Sequence, residues 1–249
     1  MPEEVRAVTR AFDLLEALSA RGGEAGVGDL AAALDMPAAS VHRLLHTLTL
    51  KGYVLRLPSR RYSLGPGLIG LGEATARRIS SWAMPALTRL GEASRETANL
   101  AVLDGDLVSY IAQVPSPHQM RMFTEVGRRV LPHAAGVGKA LLAQLPDEHV
   151  RELVGRTGLP VYTPPTLHTI DALVAELHAI RERGYAIDDG EQEVGVRCYA
   201  MPVVGHTLPM AVSISGPAAR VTVDSAPQML RALRDAAETI RSAMPARAV

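Results

Sequence analysis

Three residues, Asp35-Met36-Pro37, separate two short apolar-periodic segments and thereby dictate how this end of the chain folds. Before them, Leu30 to Leu34 reads as a short helix with Asp29 in its first turn, where a negative charge suits the helix dipole. After them, Pro37 suits the start of a second helix that carries Val41, Leu44, Leu45 and Leu48 on one face and runs to Gly52. Two helices joined by so short a turn predict a helix-turn-helix. Upstream, Val5 to Ala20 places Val5, Val8, Phe12, Leu15 and Leu18 at spacings of three and four, which predicts an amphipathic helix with these residues as its buried stripe. Downstream, Tyr53-Val54-Leu55 and Arg61-Tyr62-Ser63-Leu64 are β-prone runs around Pro58-Ser59-Arg60, the composition of a short hairpin. A hairpin there is the wing of a winged helix.

Charge placement gives this module a partner. The whole chain balances 26 Lys and Arg against 26 Asp and Glu, a sum that argues against a nucleic-acid binder. Yet no acidic residue occurs between Asp35 and Glu73, and that window holds His42, Arg43, His46, Lys51, Arg56, Arg60 and Arg61. The start of the second helix, with Ser40, His42 and Arg43, is expected to enter a major groove, where Arg reads guanine and Ser bonds base edges or phosphate. Arg60 and Arg61 on the wing are expected to hold phosphates or a minor groove. The bland alternative is a helical dimerisation module with a solvated basic face.

After Gly65-Pro66-Gly67, Leu68 to Thr97 reads as largely helical, interrupted at Met84-Pro85 because proline lacks the donor that an interior turn requires. Strands are expected at Asn99 to Leu103 and Leu107 to Val114, around the turn Asp104-Gly105-Asp106. Helices follow at Val137 to Gln144 and Asp171 to Arg183, strands at Val194 to Val203 and Pro209 to Ser215, and a last amphipathic helix at Ala226 to Ala243. The expected class is α+β. Residues 1–66 form the winged helix-turn-helix domain, 67–80 a linker helix, and 81–249 a second domain.

Three groups in that second domain bear on chemistry. In His133-Ala134-Ala135-Gly136-Val137-Gly138-Lys139-Ala140, glycines at a helix start turn backbone amides outward, which favours an anion. A nucleotide phosphate loop is excluded, since that pattern needs glycine where His133 stands and Ser or Thr where Ala140 stands. A small carboxylate is the better guest. Asp188 ends a helix-to-strand transition, Cys198 lies in a strand, and Ser213 and Ser215 share one strand face by alternation. The plain alternatives are a small buried apolar cysteine and a partly polar strand face.

Enzymatic roles fit poorly. His42 and His46 are four apart, but Arg43 stands where a metalloprotease helix needs glutamate, so no metal site is expected. Cys198 as a nucleophile activated by His133 or His206 has no local signature, so a Cys/Asp-based small-molecule enzyme ranks last. A single cysteine forms no intrachain disulfide, no apolar run approaches membrane-spanning length, and Met1-Pro2-Glu3-Glu4 opens without a basic, then apolar, leader. The expectation is a cytoplasmic protein without cofactor or membrane partner.

These residues resemble the isocitrate lyase regulator (IclR) family of bacterial transcription factors. The likeness rests on Val8-Thr9-Arg10-Ala11-Phe12-Asp13-Leu14-Leu15, His42-Arg43-Leu44-Leu45, Tyr62-Ser63-Leu64-Gly65, Ala134-Ala135-Gly136-Val137-Gly138-Lys139-Ala140, Arg183-Gly184-Tyr185, Val196-Arg197-Cys198 and Ser213-Ile214-Ser215-Gly216-Pro217. It implies a winged helix-turn-helix joined by a linker helix to a GAF-like effector-binding domain, assembled as a homodimer or a dimer of dimers (a homotetramer). It further implies an operator with an inverted repeat and a small carboxylate effector. The effector-contacting positions implied are the amides of Gly136 and Val137, with Asp188, Cys198, Ser213 and Ser215, and an apolar wall of Met122, Val130 and Val196. Met120-Arg121-Met122, Asp188-Asp189 and the Ser-Ile-Ser strand look like the glyoxylate- or pyruvate-responsive members. Val137 in place of a common alanine and Gln119 in place of a pocket leucine leave another small acid, including an aromatic one, open. The resemblance favours a repressor over an activator of a catabolic operon.

Overall fold

The computed structural model describes residues 5–122, 125–205 and 208–243. Its backbone contacts divide between Arg77 and Arg78 into two compact units.

The first unit contains helix α1 (Arg6–Ala20), strand β1 (Glu24–Ala25), helices α2 (Val27–Ala33) and α3 (Ala38–Leu50), and strands β2 (Val54–Arg56) and β3 (Tyr62–Leu64). The Asp35-Met36-Pro37 turn works through its backbone. Asp35 takes a left-handed φ of 47° and the Met36 amide donates back to the Ala31 carbonyl, a closure that satisfies an orphan carbonyl of α2. Gly52 closes α3 in the same way, with φ 75° and the Tyr53 amide on the Leu48 carbonyl. The wing forms as expected, and β1 joins it to give the antiparallel order β1-β3-β2. Leu14, Leu18, Leu30, Val41, Leu45 and Val54 are fully buried together, each worth about 1.5–3 kcal/mol of transfer free energy.

The expected stripe on α1 is only partly the buried one. Leu18 is buried and Leu15 packs at the edge of the core, but Val5, Val8 and Phe12 are exposed at 65%, 52% and 61%. Helix α1 carries two apolar rows, and the one through Leu14 and Leu18 faces the core that Leu30, Val41 and Leu45 build.

Helix α4 (Gly67–Ser94) runs without a break, and Pro85 lies inside it, so the expected interruption at Met84-Pro85 is absent. Proline removes the donor for the Ser81 carbonyl, at a cost of about 3 kcal/mol in an isolated helix. Here Ala83, Ala86, Leu87 and Leu90 on that turn are buried in the core of the second unit, and their packing holds the helical path.

The second unit is built on six strands: β4 (Thr97–Asp104), β5 (Leu107–Val114), β6 (Arg129–Val130), β7 (Ala186–Asp189), β8 (Val196–Val203) and β9 (Met210–Pro217). They form an antiparallel sheet of order β6-β5-β4-β9-β8-β7. Helix α8 (Ala226–Ala243) and the end of α4 cover one face, packing Leu233, Ile240, Leu87 and Leu90 on Leu100, Val212 and Ile214. Helices α5 (Gly136–Leu142), α6 (Asp147–Thr157) and α7 (Ile170–Arg183) belong to the other face, whose core includes Val137, Leu141, Leu153, Leu177, Cys198 and Ala200. The class is α+β, as expected. Helix α6 was not foreseen in the sequence, because Asp147 to Thr157 is mostly polar and buries only Val150 and Leu153, too few apolar residues to stand out.

Candidate functional site

In the first unit the buried row of α3 leaves Ala38, Ala39, His42, Arg43 and His46 on its exposed face, with Ser40 half-buried. Arg43 Nη2 donates to Ser40 Oγ at 3.5 Å, so the two groups expected to read DNA lie side by side. At the wing tip the Arg60 amide donates to the Leu57 carbonyl at 3.0 Å and Arg60 takes a left-handed φ of 63°, with its side chain exposed. Arg61 is held differently. Its guanidinium pairs with Glu24 at 2.9 Å and Asp29 at 3.4 Å, tying the wing to β1 and α2.

In the second unit the strand register gathers residues far apart in sequence. Asp188 on β7 lies opposite Cys198 on β8, Cys198 opposite Ser215 on β9, and Ser215 opposite Thr97 on β4. These four cross-strand neighbours make a polar row over the sheet face beneath α5. A second row sets Ser213 opposite Asn99 and Asn99 opposite Gln113. Gly136 opens α5 directly above the row, since a Cβ there would come within 2.9 Å of Cys198 Sγ. Asp188, Cys198, Ser213, Ser215, Gly136 and Val137 are all buried, and Val130 and Val196 are half-buried at the margin. Met122 is also half-buried, and its carbonyl accepts from Thr97 Oγ1 at 3.4 Å. Beside them opens a cleft of about 350 Å³ lined by Met120, Arg121, Met122, Arg128, Val194 and Val196, among others.

Burial dominates the electrostatics. Asp188 Oδ1 accepts from the Glu191 amide at 2.7 Å and the Gln192 amide at 3.4 Å, yet desolvation pushes its carboxyl up to about 6. Glu191 is pushed up to about 7, again by desolvation, although it forms a buried ion pair with Lys139. Lys139 is thus consumed inside the fold, which removes it as a phosphate ligand. Desolvation and then the Asp188 charge push the Cys198 thiol up to about 12, while hydrogen bonds from Ser215 and Ser213 act against this. Such a thiol stays protonated at neutral pH and is no nucleophile. His133 does not activate it: Nε2 lies 2.9 Å from the Pro160 carbonyl, the ring stacks on Tyr162, and desolvation lowers its pKa. His206 lies outside the described residues.

Thr97, Asn99, Tyr110 and Glu191 were missed as candidate-site residues, and Lys139 was weighed only within the phosphate-loop pattern. Alternation along β4 puts Thr97 and Asn99 on one face, but only the register with β9 shows that this face meets Ser213 and Ser215. Tyr110 is buried near Cys198 and Asp188, and desolvation drives its hydroxyl pKa well above the usual value.

Comparison with known proteins agrees with both halves. Residues 73–242 match the family "Bacterial transcriptional regulator IclR C-terminal" and residues 7–58 match the "IclR helix-turn-helix domain". The transcriptional repressor IclR of Escherichia coli K12 is 37% identical, over 89% of this chain and 83% of its own length. The repressor AllR of the same strain is 34% identical, over 96% of this chain and 90% of its own. The crystal structure of an IclR homolog from Microbacterium hydrocarbonoxydans, complexed with 4-hydroxybenzoate, superposes with a TM-score of 0.67 at 26% identity, covering 95% of this chain and 98% of that one. These relatives are regulators of transcription, not enzymes. Among the described residues no helix is long and apolar enough to cross a membrane.

Proposed function

This chain belongs to the IclR family of bacterial transcriptional regulators, and from that premise we propose that it is a repressor whose hold on an operator is controlled by a small carboxylate effector. The effector part is carried by one observation: the buried row Thr97–Ser215–Cys198–Asp188, polar side chains on a covered sheet face with an unreactive thiol in its midst. A row of this kind suits reversible binding. Ser213 and Ser215 supply donors for a carboxylate, Asp188 receives a hydroxyl or shares a proton, and Met122, Val130 and Val196 shield the apolar part. The outward amides of Gly136 and Val137 complete the donor set.

Glyoxylate and pyruvate each carry a carboxylate and an adjacent carbonyl oxygen, the groups that the hydroxyls and amides of the polar row can engage. An aromatic acid is a second reading, favoured by the cleft of about 350 Å³ beside Met122 and Val196 and by the 4-hydroxybenzoate held by the Microbacterium homolog. On DNA, a homodimer is expected to bind an inverted repeat, with Ser40, His42 and Arg43 at the bases and Arg60 at the backbone. The exposed Val5, Val8 and Phe12 offer apolar surface for pairing.

The test begins with selection of operator fragments from random DNA by the full chain, followed by affinity measurements at fixed salt. Arg43→Ala is expected to cost about 1–3 kcal/mol on the selected site and to relax sequence preference, while Arg60→Ala weakens selected and random DNA alike. Equal losses on both DNAs for Arg43→Ala reject its base-reading role. Glyoxylate, pyruvate and 4-hydroxybenzoate are then compared for their power to slow alkylation of Cys198, the sole thiol of the chain, at an alkaline pH where its thiolate begins to form. An acid that releases the operator yet leaves that rate unchanged places the effector site elsewhere.

A further inference from the structure

Asn99 has no exposed surface, and its amide is used from both ends. Gln113 Nε2 donates to Asn99 Oδ1 at 3.1 Å, and Asn99 Nδ2 donates to Ser213 Oγ at 3.4 Å. The register enforces the line, because Gln113, Asn99 and Ser213 are direct cross-strand neighbours on β5, β4 and β9. Each amide in it points its donor the same way, toward the polar row. A serine hydroxyl carries one proton. With Oγ engaged as an acceptor on the β4 side, that proton is free to turn toward Cys198, which lies opposite Ser215 and whose thiolate form both Ser215 and Ser213 favour.

We propose that Gln113 and Asn99 are positioning residues that set the polarity of Ser213, committing its hydroxyl to donate toward an anionic oxygen in the pocket. This rests on the carboxylate-effector function proposed above and deepens it, because the pair makes the site selective for an acid over its uncharged analogue. A buried asparagine with a purely structural role is satisfied by either orientation of its amide. A polarity role is not. If Asn99 presents Oδ1 instead, Ser213 gives its proton to Asn99 and meets an incoming carboxylate with a lone pair. A site whose groups all donate discriminates against an amide, which replaces one of the two accepting oxygens of a carboxylate by an NH₂ donor and leaves a mismatched buried pair unsatisfied.

Gln113→Glu is the chosen reversal. Gln113 is half-buried and outside the pocket, and a glutamate there only accepts, so it draws the Asn99 NH₂ group toward itself and turns Oδ1 to Ser213. Asn99→Asp produces the same reversal directly and serves as the second variant. Thermal melting and DNA binding without acid check that each variant of the full chain is folded.

Two measurements are then made, each repeated in a Ser213→Ala background. Calorimetry compares pyruvate with pyruvamide. The wild type is expected to prefer pyruvate, and Gln113→Glu to weaken pyruvate at least tenfold while changing pyruvamide little. In Ser213→Ala the Gln113→Glu change is expected to have no further effect on pyruvate. Equal weakening of both probes, or effects that simply add to those of Ser213→Ala, overturn the proposal.

The other measurement needs no acid. A reversed Ser213 withdraws a hydrogen bond from the Cys198 thiolate, so alkylation by iodoacetamide at alkaline pH is expected to slow in Gln113→Glu, and the difference to vanish in Ser213→Ala. Coupling in the alkylation rates without pyruvate binding to the wild type rejects a pyruvate effector and keeps the polarity of Ser213. Pyruvate binding without coupling does the reverse. Absence of coupling in both measurements overturns the proposal.

Discussion

Asp188 shows how far burial outweighs hydrogen bonding at a single residue. Two backbone amides favour its charge and Lys139 adds a cation nearby, yet desolvation holds its carboxyl at about 6, against 3.8 for the free group. From about pH 4 to 6 the folded chain therefore holds a proton that the unfolded chain has lost. Stability then falls as pH rises through that window and levels off above it. Glu191, pushed up to about 7, carries the decline slightly further. The Asp188 part is on the order of 2–3 kcal/mol, from about 1.4 kcal/mol per pH unit. Asp188→Asn is expected to remove it, so the gain in thermal midpoint over the wild type grows from pH 4 to 7. A gain that does not change with pH means that Asp188 is not titrating in this window. Asp188, Cys198, Ser213 and Ser215 were legible in the sequence because polar groups on strands bounded by apolar residues stand out. Thr97 and Asn99 look no different individually, and what makes them part of the candidate site is cross-strand register, which period-two alternation within one strand does not encode.

At the scale of elements, the helix-turn-helix and wing were legible because caps and turns are local chemistry: Asp35, Gly52 and Arg60 each do their work within a few residues. Elements that depend on remote packing were not. The burial of Leu87 and Leu90 carries α4 through Pro85, and no feature within α4 announces that burial. Helix α1 presented two apolar rows, and choosing between them needs the position of α2 and α3. The row left outside, Val5, Val8 and Phe12, supports a prediction of its own. On a monomer surface Phe12→Asp changes stability by no more than about 0.5 kcal/mol. In the proposed dimer it is expected to lower the thermal midpoint, because dissociation removes the stabilisation that pairing adds, while shifting the full chain toward monomer in sedimentation. Loss of paired half-sites then weakens operator binding at least tenfold. An unchanged sedimentation profile would remove this row from the pairing surface.

At the scale of the whole molecule, two compact units are proposed to meet two different partners, so control has to be a matter of linkage. The family resemblance was legible at both ends of the chain, and with it the fold and general role; effector identity was not, because it depends on how β4, β8, β9 and α5 pack around the polar row rather than on which residues are present. An effector alters operator affinity only by the amount that it prefers one conformation of the protein over another. For a repressor the expected sign is release, with a coupling of about 1–3 kcal/mol, or roughly 5- to 150-fold. Equilibrium requires that operator DNA weaken effector binding by the same factor. The measurement is therefore a closed cycle at one salt concentration, since phosphate contacts make every affinity salt-dependent. The acid is titrated into a preformed operator complex, and operator into a preformed acid complex. Ser213→Ala/Ser215→Ala is expected to keep the operator affinity of the acid-free wild type while losing response to the acid. That pattern assigns sensing to the polar row and DNA recognition to the first unit. Equal coupling factors around the wild-type cycle support direct control, and unequal factors at equilibrium show that a third state or ligand takes part. If an acid protects Cys198 from alkylation but leaves operator affinity unchanged, the pocket binds without governing the protein, and control has to enter through another effector.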